Sequence, residues 1–349
     1  MKILHISESF EGGVASAVAN YVDLTSEHEH FLLCSKRSGR LDCGIMSKFS
    51  TVYNLTSGHF SAIKTVRKIV DKLQPDVIHC HSSFGGAYGR LAHSRRKCPA
   101  LMIYSPHCYA FERRDISWFS RCGFYIMEWV MARRTDVVVA CSQRERDLAK
   151  KLRRGAQAVF VPNLASVKSP NSSLPFAKRG DLVVMLGRLS PQKDPGWFAE
   201  VARVAATNGD DKGVEFVWVG DGGAEYRKQL EGIGVRVTGW LEAKEVAKIL
   251  GRAKAYLHTA KWEGFPIALL DAAECGAAVV ARKATYLEGV RGAQTVVSTE
   301  EAARTILEIL EDEKKWAKNR KNWEIALEGN TALLAAKRLQ DAYAVDKKA

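Results

Sequence analysis

The sequence has no Cys-x-x-Cys pair, no Gly-x-Gly-x-x-Gly and no run approaching eighteen uninterrupted apolar residues. Each gap removes a class of function. Cys34, Cys43, Cys80, Cys98, Cys108, Cys122, Cys141 and Cys275 stand singly, so the spacing of a structural zinc site or redox pair is missing, and they read as reduced thiols in a cytosol. The missing dinucleotide fingerprint argues against a nicotinamide-dependent oxidoreductase, and no Gly-x-x-x-x-Gly-Lys-Ser/Thr loop occurs either. Without a long apolar run no membrane span is expected. The opening segment, Met1 to Ile6, gives only a short apolar stretch before Glu8, so export is not expected.

What is present is the composition of an ordinary folded protein. At 46% hydrophobic and 26% charged residues, disordered and fibrous classes are excluded. A length of 349 residues exceeds what one small core needs and favours two domains. The net charge of +13 is uneven: residues 1–165 hold 24 Lys+Arg against 14 Asp+Glu, the rest 28 against 25, giving +10 and +3. The N-terminal half is therefore expected to meet an anionic partner such as a membrane surface, a phosphate-bearing lipid or a nucleic acid, or else to carry a solvated basic face.

Strand-like apolar runs alternate with helix-length segments: Ile3 to Ser7, Phe31 to Ser35, Val77 to His81, Leu101 to Ser105, Val137 to Ser142 and Val159 to Pro162. The rhythm restarts with Leu182 to Leu186, Phe216 to Val219, Val235 to Val237, Ala255 to His258 and Ala278 to Ala281. Repeated strand-helix units imply two α/β, doubly wound, Rossmann-like domains. Residues 166–180, with Ser169-Pro170-Asn171-Ser172-Ser173, have the composition of a linker between an N-terminal domain (1–165) and a C-terminal domain (181–330). In residues 331–349, Leu333, Leu334, Leu339, Ala342 and Tyr343 can share one side of a closing helix, which can cross back to the first domain.

The segment from Lys261 to Gly276 lays out loop, helix and glycine stop, followed by an apolar strand. Glu263 belongs to the loop entering the helix near Pro266, whose first amides lack intrahelical partners and can donate to an oxygen-rich ligand. Asp271 lies about two turns on, so the two carboxylates can flank a sugar or ribose, or be a helix-start acid and an exposed helix residue. Gly187-Arg188-Leu189-Ser190-Pro191-Gln192-Lys193 follows a strand, where open parallel sheets place ligands. Arg188 and Lys193 there suit a diphosphate, or form an ordinary solvated basic loop. Gly220-Asp221-Gly222-Gly223 follows the next strand and fits either close backbone approach to a ligand or a tight turn. His79 and His81 alternate onto one strand face, without a third metal ligand nearby in the sequence, and read as wall residues. Phe111-Glu112-Arg113-Arg114-Asp115 and Arg133-Arg134 interleave aromatics and charge in a way that suits phosphate or an anionic membrane.

VVMLGRLSPQKD, FVWVGDGG, VRVTGWL and YLHTAKWEGFPIALLDAAECGAAVVA, in that order over residues 182–281, resemble the retaining glycosyltransferases of family 4, which have the GT-B fold. The resemblance implies two such domains facing across a cleft. It implies that Glu263 and the amides of Gly264 and Phe265, at the helix entered by Pro266, touch the transferred sugar. Arg188 and Lys193, beside Gly187, would hold the diphosphate, and Gly239-Trp240 the nucleobase. Asp271 stands where the family usually has Glu and would face the donor ribose. In the first half, Glu11-Gly12-Gly13-Val14 looks like the family's glycine loop, where phosphate or acceptor can approach, or is a plain strand-to-helix turn. Pro106-His107 looks like the family's Pro-His motif and makes His107 a contact of the donor sugar.

The implied function is retaining transfer of a sugar from a UDP- or GDP-sugar to an acceptor hydroxyl, on a glycan or lipid-linked glycan of cell-surface polysaccharide synthesis. No cofactor is implied beyond the donor. The chain has no Asp-x-Asp, the usual carboxylate pair for a catalytic metal in other glycosyltransferases, so metal independence is expected, with cationic side chains in the metal's role. The expected location is cytoplasmic, including the inner membrane face. Alternatives are a nucleotide-sugar epimerase or phosphorylase of the same fold, or a basic nucleic-acid-binding protein, although no nucleic-acid motif accompanies the charge.

Overall fold

A computed structural model describes residues 1–35, 43–94, 96–167, 174–208 and 213–345. Ser169 to Ser173, the centre of the expected linker, lie outside the described residues. The chain divides into two compact units, one of Met1–Leu164 with Asn330–Ala349, the other of Ala165–Gly329.

The first unit is built on seven strands: β1 (Lys2–Ser7), β2 (Glu29–Cys34), β3 (Thr51–Asn54), β4 (Val77–His81), β5 (Leu101–Ser105), β6 (Val137–Ala140) and β7 (Gln157–Phe160). All pair in parallel, in the order β3-β2-β1-β4-β5-β6-β7. Strands buried on both faces read as continuous apolar runs, as β4 and β5 do, because helices cover both sides. Leu4, Ile6, Phe31, Leu33, Ile78, Cys80, Met102 and Tyr104 form the core of one face. The helix Ser82–Ala92 lies close on that face because its glycines allow it: a Cβ on Gly85 would stand 2.8 Å from the Ile6 carbonyl oxygen, and one on Gly89 2.1 Å from Cys80 Sγ. The opposite face carries Ile3, Val77, Leu101 and Ile103, packed with Tyr21 of the helix Gly12–Leu24 and with Leu339, Ala342 and Tyr343 of the helix Ala332–Tyr343. Leu333, expected on the buried side of that last helix, is instead 84% exposed, because it falls in the first turn ahead of the packed stripe Ala335, Leu339 and Ala342. Asn330 Nδ2 donates to the Asn163 carbonyl at 2.8 Å, fastening the returning chain where the outgoing chain leaves.

The second unit has β8 (Gly180–Leu186), β9 (Glu215–Val219), β10 (Arg236–Val237), β11 (Ala253–His258), β12 (Ala278–Arg282) and β13 (Thr295–Val296), in the order β10-β9-β8-β11-β12-β13 and again parallel. Its core gathers Val183 to Leu186, Phe216 to Val219, Ala255 to Leu257 and Val279 to Ala281 from the strands, with Phe198, Leu250, Ile306 and Trp323 from covering helices. In both sheets the strand order reverses once, between β1 and β4 and between β8 and β11. Open α/β sheets bind ligands outside the carboxyl ends of the strands at such a reversal.

Candidate functional site

At the reversal in the second unit, two loops leave side by side. After β8 the chain runs Gly187 to Asp194; after β11 it runs Thr259 to Pro266 into the helix Ile267–Glu274. The loops are laced together by Lys261 N donating to the Gln192 carbonyl at 2.8 Å and Gln192 Nε2 donating to the Trp262 carbonyl at 2.9 Å. Thr259 Oγ1 also donates to the Lys193 carbonyl. Asp194 takes Arg282 Nη1 at 2.6 Å and Lys261 Nζ at 3.0 Å, which holds the far end of the first loop.

This lacing brings Lys193 Nζ into an ion pair with Glu263, both side chains largely shielded. The ammonium stem crosses Gly187, where φ is +143° and a Cβ would come within 2.9 Å of Lys193 Cε. Gly220 is likewise required: at φ +140° its Cβ would stand 2.1 Å from the Gly187 carbonyl oxygen. Gly220 also bridges Gly239, so Gly239 and the half-exposed Trp240 belong to the same rim as Gly187. Arg188, at the end of β8, is exposed. Gly264 and Pro266 are buried and Phe265 partly so, directly ahead of the first turn of Ile267–Glu274. That turn presents amides without intrahelical acceptors and the positive end of the helix dipole.

Asp271 is placed differently from Glu263. It is 5% exposed, and both oxygens are taken by the start of the segment leading to β8: Ser166 N donates to Oδ1 at 2.5 Å, Val167 N to Oδ1 at 3.1 Å, and Ser166 Oγ to Oδ2 at 2.8 Å. The alternative of an exposed helix residue is thus corrected: Asp271 is buried, and both its oxygens face Ser166 and Val167. Burial outweighs these hydrogen bonds and raises its pKa from an ordinary 3.8 to about 6. Between those values the folded state holds a proton that the unfolded state has released. The residue's contribution to stability therefore falls as pH rises from about 4 to 6 and is level above that, about 3 kcal/mol in all. Asp271→Asn keeps the geometry, its amide donating to Ser166 Oγ and its carbonyl accepting from the two amides. The variant should gain up to that amount over the parent at pH 7 and nothing at pH 4, read from urea midpoints at both pH values.

Sequence reasoning did not single out His258 at the end of β11. It is fully buried, Nδ1 lies 3.1 Å from Tyr256 Oη, and burial first, then the charge of Lys193, lowers its pKa.

At the reversal in the first unit, Gly12 and Gly13 open the helix Gly12–Leu24, both exposed, with Gly12 at φ +51°. His107 follows β5 with φ +50° and Cys108 with φ +87°, two consecutive non-glycine residues in the left-handed region. Such a turn costs energy and persists only where its surroundings hold it. Here the buried Glu145 carboxylate accepts from the Cys108 amide and, at 2.9 Å, from the Cys141 amide.

Behind His107 lies a row of imidazoles that the sequence did not announce. His107 Nε2 is 3.0 Å from His81 Nδ1, His81 Nε2 is 3.0 Å from His5 Nδ1, His5 Nε2 is 3.0 Å from His30 Nδ1, and His30 Nε2 is 2.9 Å from the Thr25 carbonyl oxygen. Burial lowers the pKa of every member, His107 to about 4, so at neutral pH all are uncharged and each carries one ring proton. The Thr25 carbonyl can only accept. His30 therefore donates from Nε2, which leaves its Nδ1 to accept from His5 Nε2, and the same logic passes through His81 to His107. The row ends with His107 protonated at Nε2 and its Nδ1 lone pair presented outward from the row. His5, His79 and His81 also lie close enough to hold a metal ion. The third imidazole missing from the sequence reading is thus His5, but all six ring nitrogens already face protein partners, those of His79 being Tyr343 Oη and Ser105 Oγ.

Two family models match the chain: "Glycosyltransferase Family 4" over residues 12–166 and "Glycosyl transferases group 1" over residues 180–312. A 41.2 kDa protein in the cps region of Klebsiella pneumoniae is 26% identical over 326 residues, covering 89% of each chain. The Escherichia coli UDP-Gal:alpha-D-GlcNAc-diphosphoundecaprenol alpha-1,3-galactosyltransferase is 27% identical over 237 residues, 60% of this chain and 58% of that one. Among solved structures, Anabaena Alr3699/HepE in complex with UDP and glucose has a TM-score of 0.76 at 18% identity, with 98% of both chains covered. The fold is therefore of the GT-B type.

Proposed function

We propose that this chain, which belongs to the group 1 glycosyltransferases, moves a sugar from a UDP-sugar to an acceptor hydroxyl on a lipid-linked glycan, with retention at the anomeric carbon. The observation that carries this reading is the joining of Lys193, Glu263 and the start of Ile267–Glu274 at the β8/β11 reversal. A diphosphate needs cations and amide donors; a sugar needs a hydroxyl acceptor; this corner supplies both.

In that reading the donor diphosphate lies between Lys193, Arg188 and the amides ahead of the helix, and Glu263 accepts from a hydroxyl of the transferred sugar. Negative charge grows on the departing diphosphate as the glycosidic bond stretches, and donors already aimed at it stabilise that state without reorganising. Lys193 would exchange part of its contact with Glu263 for phosphate oxygens, so the loop laced by Gln192 and Thr259 holds a cation in place before the donor arrives. With Lys193 and Arg188 in this role no metal is needed. His107, with Nδ1 as an acceptor, offers a substrate hydroxyl a hydrogen-bond acceptor at the β1/β4 reversal of the first unit. Uridine is favoured over guanosine because the E. coli relative's name specifies UDP-Gal and the Anabaena structure contains UDP. The lipid-linked acceptor rests on the same E. coli relative, whose acceptor is a diphosphoundecaprenol-linked sugar.

The test is thermal unfolding with UDP, GDP and ADP, since a ligand bound only to the native state raises apparent stability by about 2.7 kcal/mol at a hundred times its Kd. UDP should raise Tm in the parent and not in Lys193→Ala, and EDTA should not alter the shift. No response to UDP, or an equal response in the variant, would reject the donor assignment. A new glycoside as product separates transfer from epimerisation and phosphorolysis.

A further inference from the structure

Every large apolar side chain on one face of a single helix in the first unit is exposed. The helix Trp118–Met131 reads WFSRCGFYIMEWVM and starts from Ser117, whose hydroxyl accepts from the Ser120 amide. Trp118 is 66%, Phe119 79% and Ile126 59% exposed, and Tyr125, Trp129 and Val130 are also open to solvent. At 3.6 residues per turn these six span a continuous arc of roughly 140°. The helix is fixed by its other side: its one acid, Glu128, is buried and accepts from Arg90 Nη2 at 2.9 Å and from Tyr104 Oη at 2.8 Å. Phe124 packs into the core of that face. The outward arc therefore carries no negative charge at all.

Cations border it. Arg133 lies with its guanidinium 4.2 Å from the Trp129 ring centroid, and exposed Arg114, Arg121 and Arg134 flank the helix ends and side. Arg121 and Arg134 are tied down by the carbonyls of Phe111 and Arg90 at 2.9 and 3.2 Å, so their positions are set by the fold. Tryptophan and tyrosine among aliphatic residues, with arginines at the margin, the helix's own acid turned inward and the exposed Asp115 beside it neutralised by Arg113, is the chemistry of the boundary between lipid headgroups and acyl chains. A protein partner would need pockets for Trp118 and Phe119. A bilayer needs only depth and negative charge, and the +10 carried by residues 1–165 supplies long-range attraction to anionic headgroups.

We infer that the exposed face of Trp118–Met131, with Arg114, Arg121, Arg133 and Arg134 around it, docks the protein on an anionic lipid bilayer, the aromatic side chains entering the interfacial layer. No helix among the described residues is long and apolar enough to cross a membrane, so this contact is a surface one. It deepens the reading of a lipid-linked acceptor but is measured without donor or acceptor, so either can fail while the other stands.

The experiment is co-sedimentation with vesicles of phosphatidylcholine alone and of equimolar phosphatidylcholine and phosphatidylglycerol. The parent should bind the mixed vesicles, weaken with added salt, and bind pure phosphatidylcholine poorly. Trp118→Ala with Phe119→Ala, which removes only exposed groups, should lower binding to mixed vesicles about ten-fold or more while the circular dichroism is unchanged. Arg133→Ser with Arg114→Ser should lower it in low salt and have less effect in high salt. Undiminished binding by the aromatic double variant would overturn the proposal. So would parent dimerisation in sedimentation equilibrium that the same two substitutions abolish, since the face would then be an interface between copies.

Discussion

Glu263→Ala is expected to lower kcat by about 10²–10³-fold with no loss of fold, the range found when one preorganised polar group aimed at a transition state is removed. Two effects add. In the proposed reading the hydroxyl acceptor for the sugar disappears, and Lys193, whose methylene stem crosses Gly187, loses the carboxylate paired with its ammonium. Glu263→Gln separates them, because the amide oxygen still accepts from a hydroxyl while the ion pair is gone; it should sit between the parent and the alanine variant. Lys193→Ala should cost a similar factor, expressed in kcat more than in donor KM if the cation acts on the leaving diphosphate. Because the two side chains touch, their losses should not add: the double variant is expected to be about as slow as the worse single one. Steady-state kinetics on the four proteins, with Tm as a check on folding, decides this. Parent-like turnover in Glu263→Ala would remove the β8/β11 corner from the reaction.

The strands and their parallel pairing in two sheets were open to sequence reading because each leaves a local mark. Val77 to His81 and Leu101 to Ser105 are apolar without interruption, which is what burial on both faces demands, and their bounds agree with β4 and β5. The edge strands β3 and β13 were missed for the opposite reason. Thr51–Asn54 is half-exposed, and Thr295–Val296 is two residues long, so neither produces an apolar run. Lys193 and Glu263 could be nominated separately, but their contact depends on Gln192 and Thr259 crossing between loops seventy residues apart, and no spacing rule encodes that.

Asp271 shows a limit of another kind. Its helix position was legible, yet its partner is the backbone at Ser166 and Val167, a hundred residues away in the chain. Two turns along a helix says which side of the cylinder a carboxylate occupies and nothing about what faces it. The exposed arc of Trp118–Met131 was hidden similarly: an aromatic-rich helix normally reads as core, and only Glu128, the residue that should have been outside, turned inward to Arg90. The polarity of that helix is inverted relative to the ordinary amphipathic case.

The imidazole row makes a second large effect expected, at His107. His107→Ala should lower kcat by about 10²-fold, the smaller end of what a positioned hydrogen-bonding or proton-accepting side chain supplies. The form in which His107 would act is neutral, with the proton on Nε2 and the lone pair on Nδ1, because the Thr25 carbonyl at the other end of the row can only accept and the Thr25 hydroxyl donates to the Tyr21 carbonyl. Burial pushes the His107 pKa to about 4. Activity governed by this group should therefore be level from pH 8 to about 5 and fall only as pH drops through about 4, with no inflection near the ordinary histidine value of 6.5. His5 touches no substrate in this scheme and is a positioning residue. His5→Leu frees His81 and hence the choice of tautomer at His107, and it strands buried nitrogens on His30 and His81, each worth about 1–3 kcal/mol of stability. Nitrogen-15 spectra of the imidazoles distinguish the two consequences. In the parent, His107 should show a protonated Nε2 and a bare Nδ1; in His5→Leu both tautomers should appear, with a kcat loss smaller than that of His107→Ala. A parent spectrum with the proton on His107 Nδ1 would reverse the direction of the row and remove the reason for His107 to accept from a sugar hydroxyl.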